Sequence, residues 1–519
     1  MTRRSSIANA ADLPASFRSM TMAGGLRSSA LRAPFKTALR HGDRSCTYAT
    51  LMDRIDAVAR AAISDLKLAP GSNAAIVARN SIEYIEIVSG MPEAGVAVAT
   101  INSRYTAREI ELVCRDASVK VIFTDAESEA RVREANIPSA ERIIVIGEDY
   151  ESWIAGCRSQ VSFPVVDEWD TWCIPYTSGT TGAPKGVMLS HRSRVLVAYA
   201  AAAEFGCFSA DDHFLAMTPM NHGGGLAFPM AALLMGATVE ILDHFDPEIV
   251  LGKFVHGGVT GVFMVPTHFH QIFALDPAFL RAHKKTSLKS IISNAAPLPQ
   301  AIKERVVDHF GEGKLFEIYS STEAGFVSSL RPIDQLRKLS CAGLPHAYVE
   351  IKVANESGEE CAPGEVGELF SRSPFMFNGY WNRPEETAAA FRDGWLSVGD
   401  LAKRDADGYV YIVDRKKDMV ISGGVNIYPR EIEEVLLTHP AVSDAAVIGI
   451  LDERWGERLL ACIVRRKGFD FDLDDLLAHC SGKLASYKIP RELRHLEMLP
   501  RNANGKVLKK DLRSTFSNY

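Results

Sequence analysis

From Ser72 onward, apolar runs of strand length alternate with amphipathic segments of helix length: "NAAIVA", "SIEYIEIVSGMPEAG", "VAVATIN", "TAREIELVCRDAS" and "VKVIFTD". A strand that is apolar on both faces must be covered on both faces, and a helix is the usual connection that brings the chain back parallel. The alternation therefore predicts βαβ units and a largely parallel sheet. The later chain reads differently. Between Gly364 and Asp414 short strands are broken by turn signals, and "DADG", Asp405 to Gly408, lies between "LAKR" and "YVYIV", predicting an antiparallel hairpin. After the charged run "DRKKD", Asp414 to Asp418, the remaining chain has the size of a small α+β domain. It holds the helical stretch "PREIEEVLLTH", in which Pro429 suits the first turn and Glu431, Glu433 and Glu434 suit the positive end of the helix dipole.

With 519 residues the chain exceeds what one hydrophobic core supports, since such cores stop growing at about 250 to 300 residues. A composition of 47% hydrophobic and 24% charged residues is that of a soluble globular protein. Net charge is −6 and the pI near 6.2, so no basic field points to nucleic acid, which is excluded as the main partner. The nine cysteines are scattered, odd in number and free of C-x-x-C spacing. They read as buried or idle thiols of a reducing compartment. The N-terminal "MTRRSSIANAADLPASF" has a basic start with no apolar core behind it, unlike a secretory signal. No apolar run reaches the roughly 18 residues of a membrane span. A cytoplasmic enzyme is the class that remains.

The segment "YTSGTTGAPKGVMLSH", Tyr176 to His191, has the parts of a phosphate cradle. Gly179, Gly182 and Gly186 permit backbone conformations closed to other residues, Thr177, Ser178, Thr180 and Thr181 offer hydroxyls, and Lys185 supplies a cation. The Walker pattern is not met, because Pro184 precedes the lysine and Gly186 follows it. A pair of histidines in "HFH", His268 and His270, invites a metal reading that fails: two residues apart on a helix they face different ways, and no third ligand is apparent.

Further motifs follow in order: "PMNHGGG" (219–225), "SNAAPLP" (293–299), "EIYSSTEAG" (317–325), "GYW" with "GWLSVGDLA" (379–402), "DRKKDMVISGGVNIYPREIE" (414–433) and "PRNANGK" (500–506). Together with the glycine-rich loop, this series resembles the adenylate-forming superfamily: acyl- and aryl-CoA synthetases, peptide-synthetase adenylation domains and beetle luciferases. The resemblance runs from the loop almost to the C-terminus. It implies an α/β fold with a large N-terminal domain of doubly wound sheets plus a small distorted β-barrel, and a small mobile α+β C-terminal domain. The boundaries implied are 1–413 for the ATP- and acid-binding domain, 414–418 for a hinge and 419–519 for a lid.

The chemistry implied is activation of a carboxylate by ATP to an acyl-adenylate with release of pyrophosphate, followed by displacement of AMP by the thiol of coenzyme A. An anionic carboxylate must approach an anionic α-phosphate, so fixed donors and cations should supply much of the catalysis. By resemblance, Thr322 contacts the α-phosphate, Glu323 binds Mg²⁺, Tyr319 stacks on adenine, and Ala295, Glu317 and Ile318 line the base site. Asp400 and Arg415 match the ribose-binding positions. His222 matches the position that flanks the carboxylate and gates the acyl tunnel, with Gly223, Gly224 and Gly225 leaving room for substrate. Lys417 is the implied pivot, Gly423 and Gly424 approach the thiol arm, and Asn426 lies beside AMP. Lys506 is the lysine that enters the site only in the adenylating pose, and its acetylation would remove that charge. Ser320 departs from the pattern, since many relatives carry glycine after the tyrosine, and Ser293 and Asn294 likewise stand where relatives often have glycines.

An amino-acid substrate would call for an acid near "MNHGGGLAF", and none lies between Ala216 and Ile241 except Glu240 at the far end. A dicarboxylate would call for a cation, and Met217 to Met235 contains no Lys or Arg. An apolar monocarboxylic acid, fatty, alicyclic or aryl, is the expected substrate. Transfer to a carrier protein and a luciferase-like oxygenation are the alternatives, and a homodimer is compatible with the reading.

Overall fold

Asn73–Val77, Ala97–Ile101 and Val121–Thr124 are buried at every position, as continuous apolar strands must be when helices cover both faces. The computed structural model describes residues 19–157, 161–178, 184–501 and 507–516, with backbone only at Ser178. The chain gathers into two compact units. The larger comprises Met1–Leu339, His346–Val349 and Arg372–Phe391, and the smaller comprises Ser340–Pro345, Glu350–Ser371 and Arg392–Tyr519.

In the larger unit Asn73–Val77 pairs in parallel with Ala97–Ile101 on one side and Val121–Thr124 on the other. Thr171–Ser178 continues the parallel order beside Ala97–Ile101, and Pro184–Ser190 returns antiparallel to it. Each βαβ crossover is the one the sequence predicts, with Ile82–Glu93 and Ala107–Asp116 as its helices. Local chemistry starts them: Ser81 accepts from the Tyr84 amide, and Thr106 and Glu109 form a capping box. A second sheet sets Gly261–Met264, Ser290–Ser293 and Leu315–Ser321 side by side in parallel, with Gly325–Leu330 antiparallel to the last of them. Its core is Leu215, Val262, Met264, Phe269, Ile291, Leu315 and their neighbours. The parallel strands end together at one edge, which is where open α/β sheets bind ligands.

The smaller unit contains an antiparallel sheet in which Asp400–Arg404 pairs with Val410–Arg415 through the predicted "DADG" turn. There the Gly408 amide donates to the Asp405 carbonyl, and Gly408 has φ +85°. Among the described residues the strand order of this sheet is an open path, and no closed barrel is seen among them. A further sheet pairs the long strands Val442–Asp452 and Gly456–Arg465, with Glu492–Leu496 parallel to the latter. The helix Pro429–Leu436 packs Ile432 and Leu436 onto it. All nine cysteines are free, and burial pushes the thiols of Cys114, Cys173 and Cys462 up to about 12, which keeps them protonated and inert. Among the described residues no helix is long and apolar enough to cross a membrane.

Candidate active site

The described arms of the segment expected to cradle phosphate are antiparallel strands. Thr177 and Lys185 sit opposite each other on its two strands, while Gly179, Thr180, Thr181 and Gly182, like the side chain of Ser178, lie outside the described residues. Gly186 is not the conformational device the sequence suggested: it lies within a regular strand, outside the positive-φ glycines. Glycine is required there for space, because an added Cβ would come 2.8 Å from Ile174 and 2.9 Å from the Tyr176 ring.

Lys185 is held on two sides. Its Nζ lies 2.5 Å from a Glu386 carboxylate oxygen and 5.2 Å from the centre of the Tyr380 ring. Tyr380 in turn donates its hydroxyl to Glu323 Oε1 at 2.9 Å. Burial first, and then the Glu323 carboxylate, hold the Tyr380 phenol far above its ordinary range, so it remains a donor. The backbone makes the same connection, with the Phe377 amide donating to the Glu323 carbonyl and the Trp381 amide to the Gly186 carbonyl. Behind this corner, Arg383 pairs with Asp116 at 2.5 Å, and Asp116 accepts from the Tyr176 hydroxyl at 2.7 Å. Sequence reasoning missed Tyr380 and Glu386, although both stand in the run "GYWNRPEET".

Thr322 and Glu323 form the half-buried turn between Leu315–Ser321 and Gly325–Leu330, closed by the Ala324 amide donating to Ser321 Oγ at 2.9 Å. Tyr319 is half-buried and Ile318 buried on the preceding strand. The Glu317 carboxylate is engaged elsewhere, in a buried ion pair with Lys303 at 3.0 Å. Ala295 is exposed and has φ +75°, a left-handed conformation that is costly for a residue with a Cβ and that gathers at ligand sites.

His222 is the residue before the helix Gly223–Met235, with Asn221 Nδ2 at 3.1 Å from its Nδ1 and Asn102 Nδ2 at 3.5 Å from its Nε2. The three glycines after it do not all leave room for a ligand. A Cβ on Gly225 would fall 2.0 Å from the Pro219 carbonyl oxygen, and one on Gly224 would fall 2.6 Å from the Phe263 ring. Only Gly223 faces open space. His268, the first of the "HFH" pair, is buried, accepts from the Val265 amide and stacks on Phe245 at 4.2 Å.

In the smaller unit Asp400 and Arg415 are direct cross-strand partners with Nε to Oδ1 at 3.2 Å. Of the run Asp414 to Asp418, Asp414 accepts from the Arg430 amide, Lys416 pairs with Glu368 and Asp418 with Arg513. Lys417 makes no side-chain hydrogen bond or ion pair among the described residues. Gly423 and Gly424 have φ +57° and +79° and join Val420–Ser422 to Val425–Ile427, the two-residue hairpin turn that requires positive φ at both centres. Asn426 is exposed on the second of these strands. Beside the turn is a cavity of about 140 Å³ lined by Gly423, Val425, Trp455, Arg458, Tyr487 and Arg491. The guanidinium groups of Arg454 and Arg491 lie 4.8 and 5.0 Å from the Trp455 ring centre. Lys506 lies outside the described residues.

Comparison with known proteins identifies the family. Residues 26–381 match the AMP-binding enzyme family and residues 431–506 the AMP-binding enzyme C-terminal domain. A feruloyl-CoA synthase from Amycolatopsis sp is 35% identical over 93% of this chain and 96% of its own length. An indoleacetate–CoA ligase of Aromatoleum aromaticum is 32% identical over 92% of this chain and 95% of its own. The crystal structure of ATP-bound MatB from Rhodopseudomonas palustris superposes with a TM-score of 0.88 at 29% identity, covering 96% of this chain and 99% of that one. ATP, Mg²⁺ and CoA are the reactants and cofactor of such enzymes. Family matches to two successive stretches of the chain, and relatives aligned over nearly their whole length, place this chain in the AMP-binding enzyme family, as an AMP-forming acyl-CoA synthetase.

Proposed function

We propose that the enzyme ligates a monocarboxylic acid with an uncharged acyl part, fatty, alicyclic or aryl, to CoA. The carrying observation is the wall after His222. Met217 to Met235 contains no Lys, Arg, Asp or Glu, and Leu226, Phe228 and Met230 are buried along it. Phe263 packs against Gly224 beside it. The nearby acid, Glu240, is taken up by His213 at 3.1 Å and Lys253 at 2.5 Å. A charged acyl part entering such surroundings would lose hydration with no counter-ion in return. Two of the relatives, a feruloyl-CoA synthase and an indoleacetate–CoA ligase, are named for acids of this class.

In this reading the substrate carboxylate attacks the α-phosphorus of ATP and pyrophosphate leaves, after which the CoA sulfur attacks the acyl carbon and AMP leaves. Lys185 and the hydroxyls of 177–181 bind phosphate, and Thr322 donates to the α-phosphate. A single carboxylate fits Mg²⁺, which takes few protein ligands and keeps waters and phosphate oxygens. Glu323 would hold it, with one oxygen fixed by Tyr380, and the ion would neutralise phosphate charge. Tyr319 and the 295 turn hold adenine, with Ile318 behind them and Glu317 stabilising the strand through Lys303. Asp400 and Arg415 take the ribose hydroxyls. His222 stands at the carboxylate. Lys506 bridges carboxylate and α-phosphate in the first step, and acetylation there would silence that step alone.

The hinge reading gains support from Lys417, the one charge of its run with no side-chain hydrogen bond or ion pair among the described residues. Gly423, Gly424 and Asn426 then serve the thiol step. The cationic and aromatic cavity beside them suits a phosphorylated nucleotide such as CoA better than the surface of a carrier protein. A reducing cytoplasm suits the free thiols. The test is a panel of carboxylic acids with ATP and CoA, scored by mass detection of the thioester and by AMP. At least one uncharged-chain monocarboxylic acid should be converted. Activation of amino acids or dicarboxylates alone, a requirement for a holo-carrier in place of CoA, or light emission from luciferin would contradict it.

A further inference from the structure

Two of the residues that depart from the family pattern touch each other. Asn294 follows the strand Ser290–Ser293, and Ser320 lies near the end of its parallel neighbour Leu315–Ser321. Asn294 Nδ2 donates to Ser320 Oγ at 2.6 Å. The Asn294 amide also donates to the carbonyl of Met264, the last residue of the next strand, so a polar bridge crosses three adjacent strand ends. Glycines at 294 and 320 would leave the interval open. The backbone serves the bridge: the pairing with Gly325–Leu330 slips between Tyr319 and Ser320, a bulge that re-aims the side chain after it, and Ala295 beside it is held at φ +75°.

The bridge adjoins the charge-free wall, since Met264 follows Phe263, the ring against Gly224. It is half-buried, so neither side chain is sealed from solvent. A carboxamide and a hydroxyl have more hydrogen-bonding capacity than one bond uses. One N–H and the carbonyl oxygen of Asn294, and the O–H of Ser320, have no further partner among the described residues. A bound acid that displaces water there must satisfy these groups or leave them unpaired, and unpaired polar groups are what make such sites discriminate.

We propose that Asn294 and Ser320 are a specificity-determining pair that reads an oxygen substituent, hydroxyl, ether or carbonyl, on the acyl part of the substrate, and so favours an oxygenated monocarboxylic acid over its plain hydrocarbon counterpart. The proposal rests on the ligase reading above. The experiment compares kcat/KM for thioester formation from 3-phenylpropanoate and hexanoate with that of their ring- or chain-hydroxylated and methoxylated forms. It is run on the wild type, Ser320→Ala, Asn294→Ala, the double variant and Ser320→Thr, and the KM for ATP is measured in each. The wild type should prefer at least one oxygenated acid by roughly tenfold to a hundredfold, the cost of leaving one such group unpaired. Either alanine variant should abolish the preference, the double variant should lose no more than the singles, Ser320→Thr should retain it, and KM for ATP should hold within about twofold. A wild type that handles hydrocarbon acids equally well, alanine variants that keep the preference, or a rise in KM for ATP with all acids slowed alike would overturn it. The last result would place the pair on the nucleotide. If no acid yields an adenylate the ligase reading itself falls, whereas adenylation without preference removes only this inference.

Discussion

Lys185 and Lys417 both sit among carboxylates, and they are held in opposite ways. Lys185 is clamped by Glu386 and the Tyr380 ring, and the same tyrosine fixes Glu323. Lys417 stands in a run whose other four charges are tied to Asp400, Glu368, Arg430 and Arg513, and it makes no side-chain hydrogen bond or ion pair among the described residues. The difference matches two demands of the proposed reaction. Charge that meets a transition state must be preorganised, while a residue about which the chain turns must have little to lose by turning.

The largest effect that would sharpen this contrast belongs to a third lysine. In the proposed cycle Lys506 is at the chemistry only in the adenylating pose and leaves it with the turn, so Lys506→Ala should lower acid-dependent pyrophosphate release by about 10² to 10³, the scale of one lost transition-state contact. Attack of CoA on a supplied acyl-adenylate should continue near the wild-type rate. An equal loss in both half-reactions would mean that Lys506 is not confined to one pose.

Within the clamped corner, Tyr380→Phe removes only the hydroxyl that fixes Glu323. A hydrogen bond to a charged group contributes about 1.5 to 3 kcal/mol, so the variant should need at least tenfold more Mg²⁺ for half-maximal pyrophosphate release, with its melting temperature close to that of the wild type. Unchanged Mg²⁺ dependence would show that the corner is structural alone.

The two glycine runs give the smallest contrast. Gly424 has φ +79° in a tight turn with nothing nearby, and Gly223 has ordinary backbone with nothing nearby. Gly424→Ala should therefore destabilise by about 1 kcal/mol, read as an earlier denaturant midpoint, and Gly223→Ala should not. Equal midpoints would remove the conformational argument for the second run.

Much of the fold was legible because buried parallel strands leave continuous apolar runs, as in "NAAIVA" and "VKVIFTD", and because "DADG" carries its own turn chemistry. The clamp on Lys185 was not legible, since Glu386 lies 201 residues further along the chain (386 − 185) and no local pattern records such a contact. Gly186, Gly224 and Gly225 were misread for a related reason. A sequence shows that a Cβ is missing but not whether the vacancy serves a dihedral angle, a ligand or, as here, Tyr176, Phe263 and the Pro219 carbonyl. The bridge between Asn294 and Ser320 shows the converse: each was visible as a departure, and only the fold makes them partners.

The most direct test of the division between a clamped corner and a free pivot is the Lys417→Pro variant with the two half-reactions measured separately. Proline locks φ and disfavours one of the two backbone states. Pyrophosphate release from ATP and acid in the absence of CoA should proceed near the wild-type rate, while single-turnover thioester formation from a supplied acyl-adenylate should fall by at least tenfold. Loss of both half-reactions to the same extent in a folded variant, or full retention of both, would contradict a pivot at Lys417.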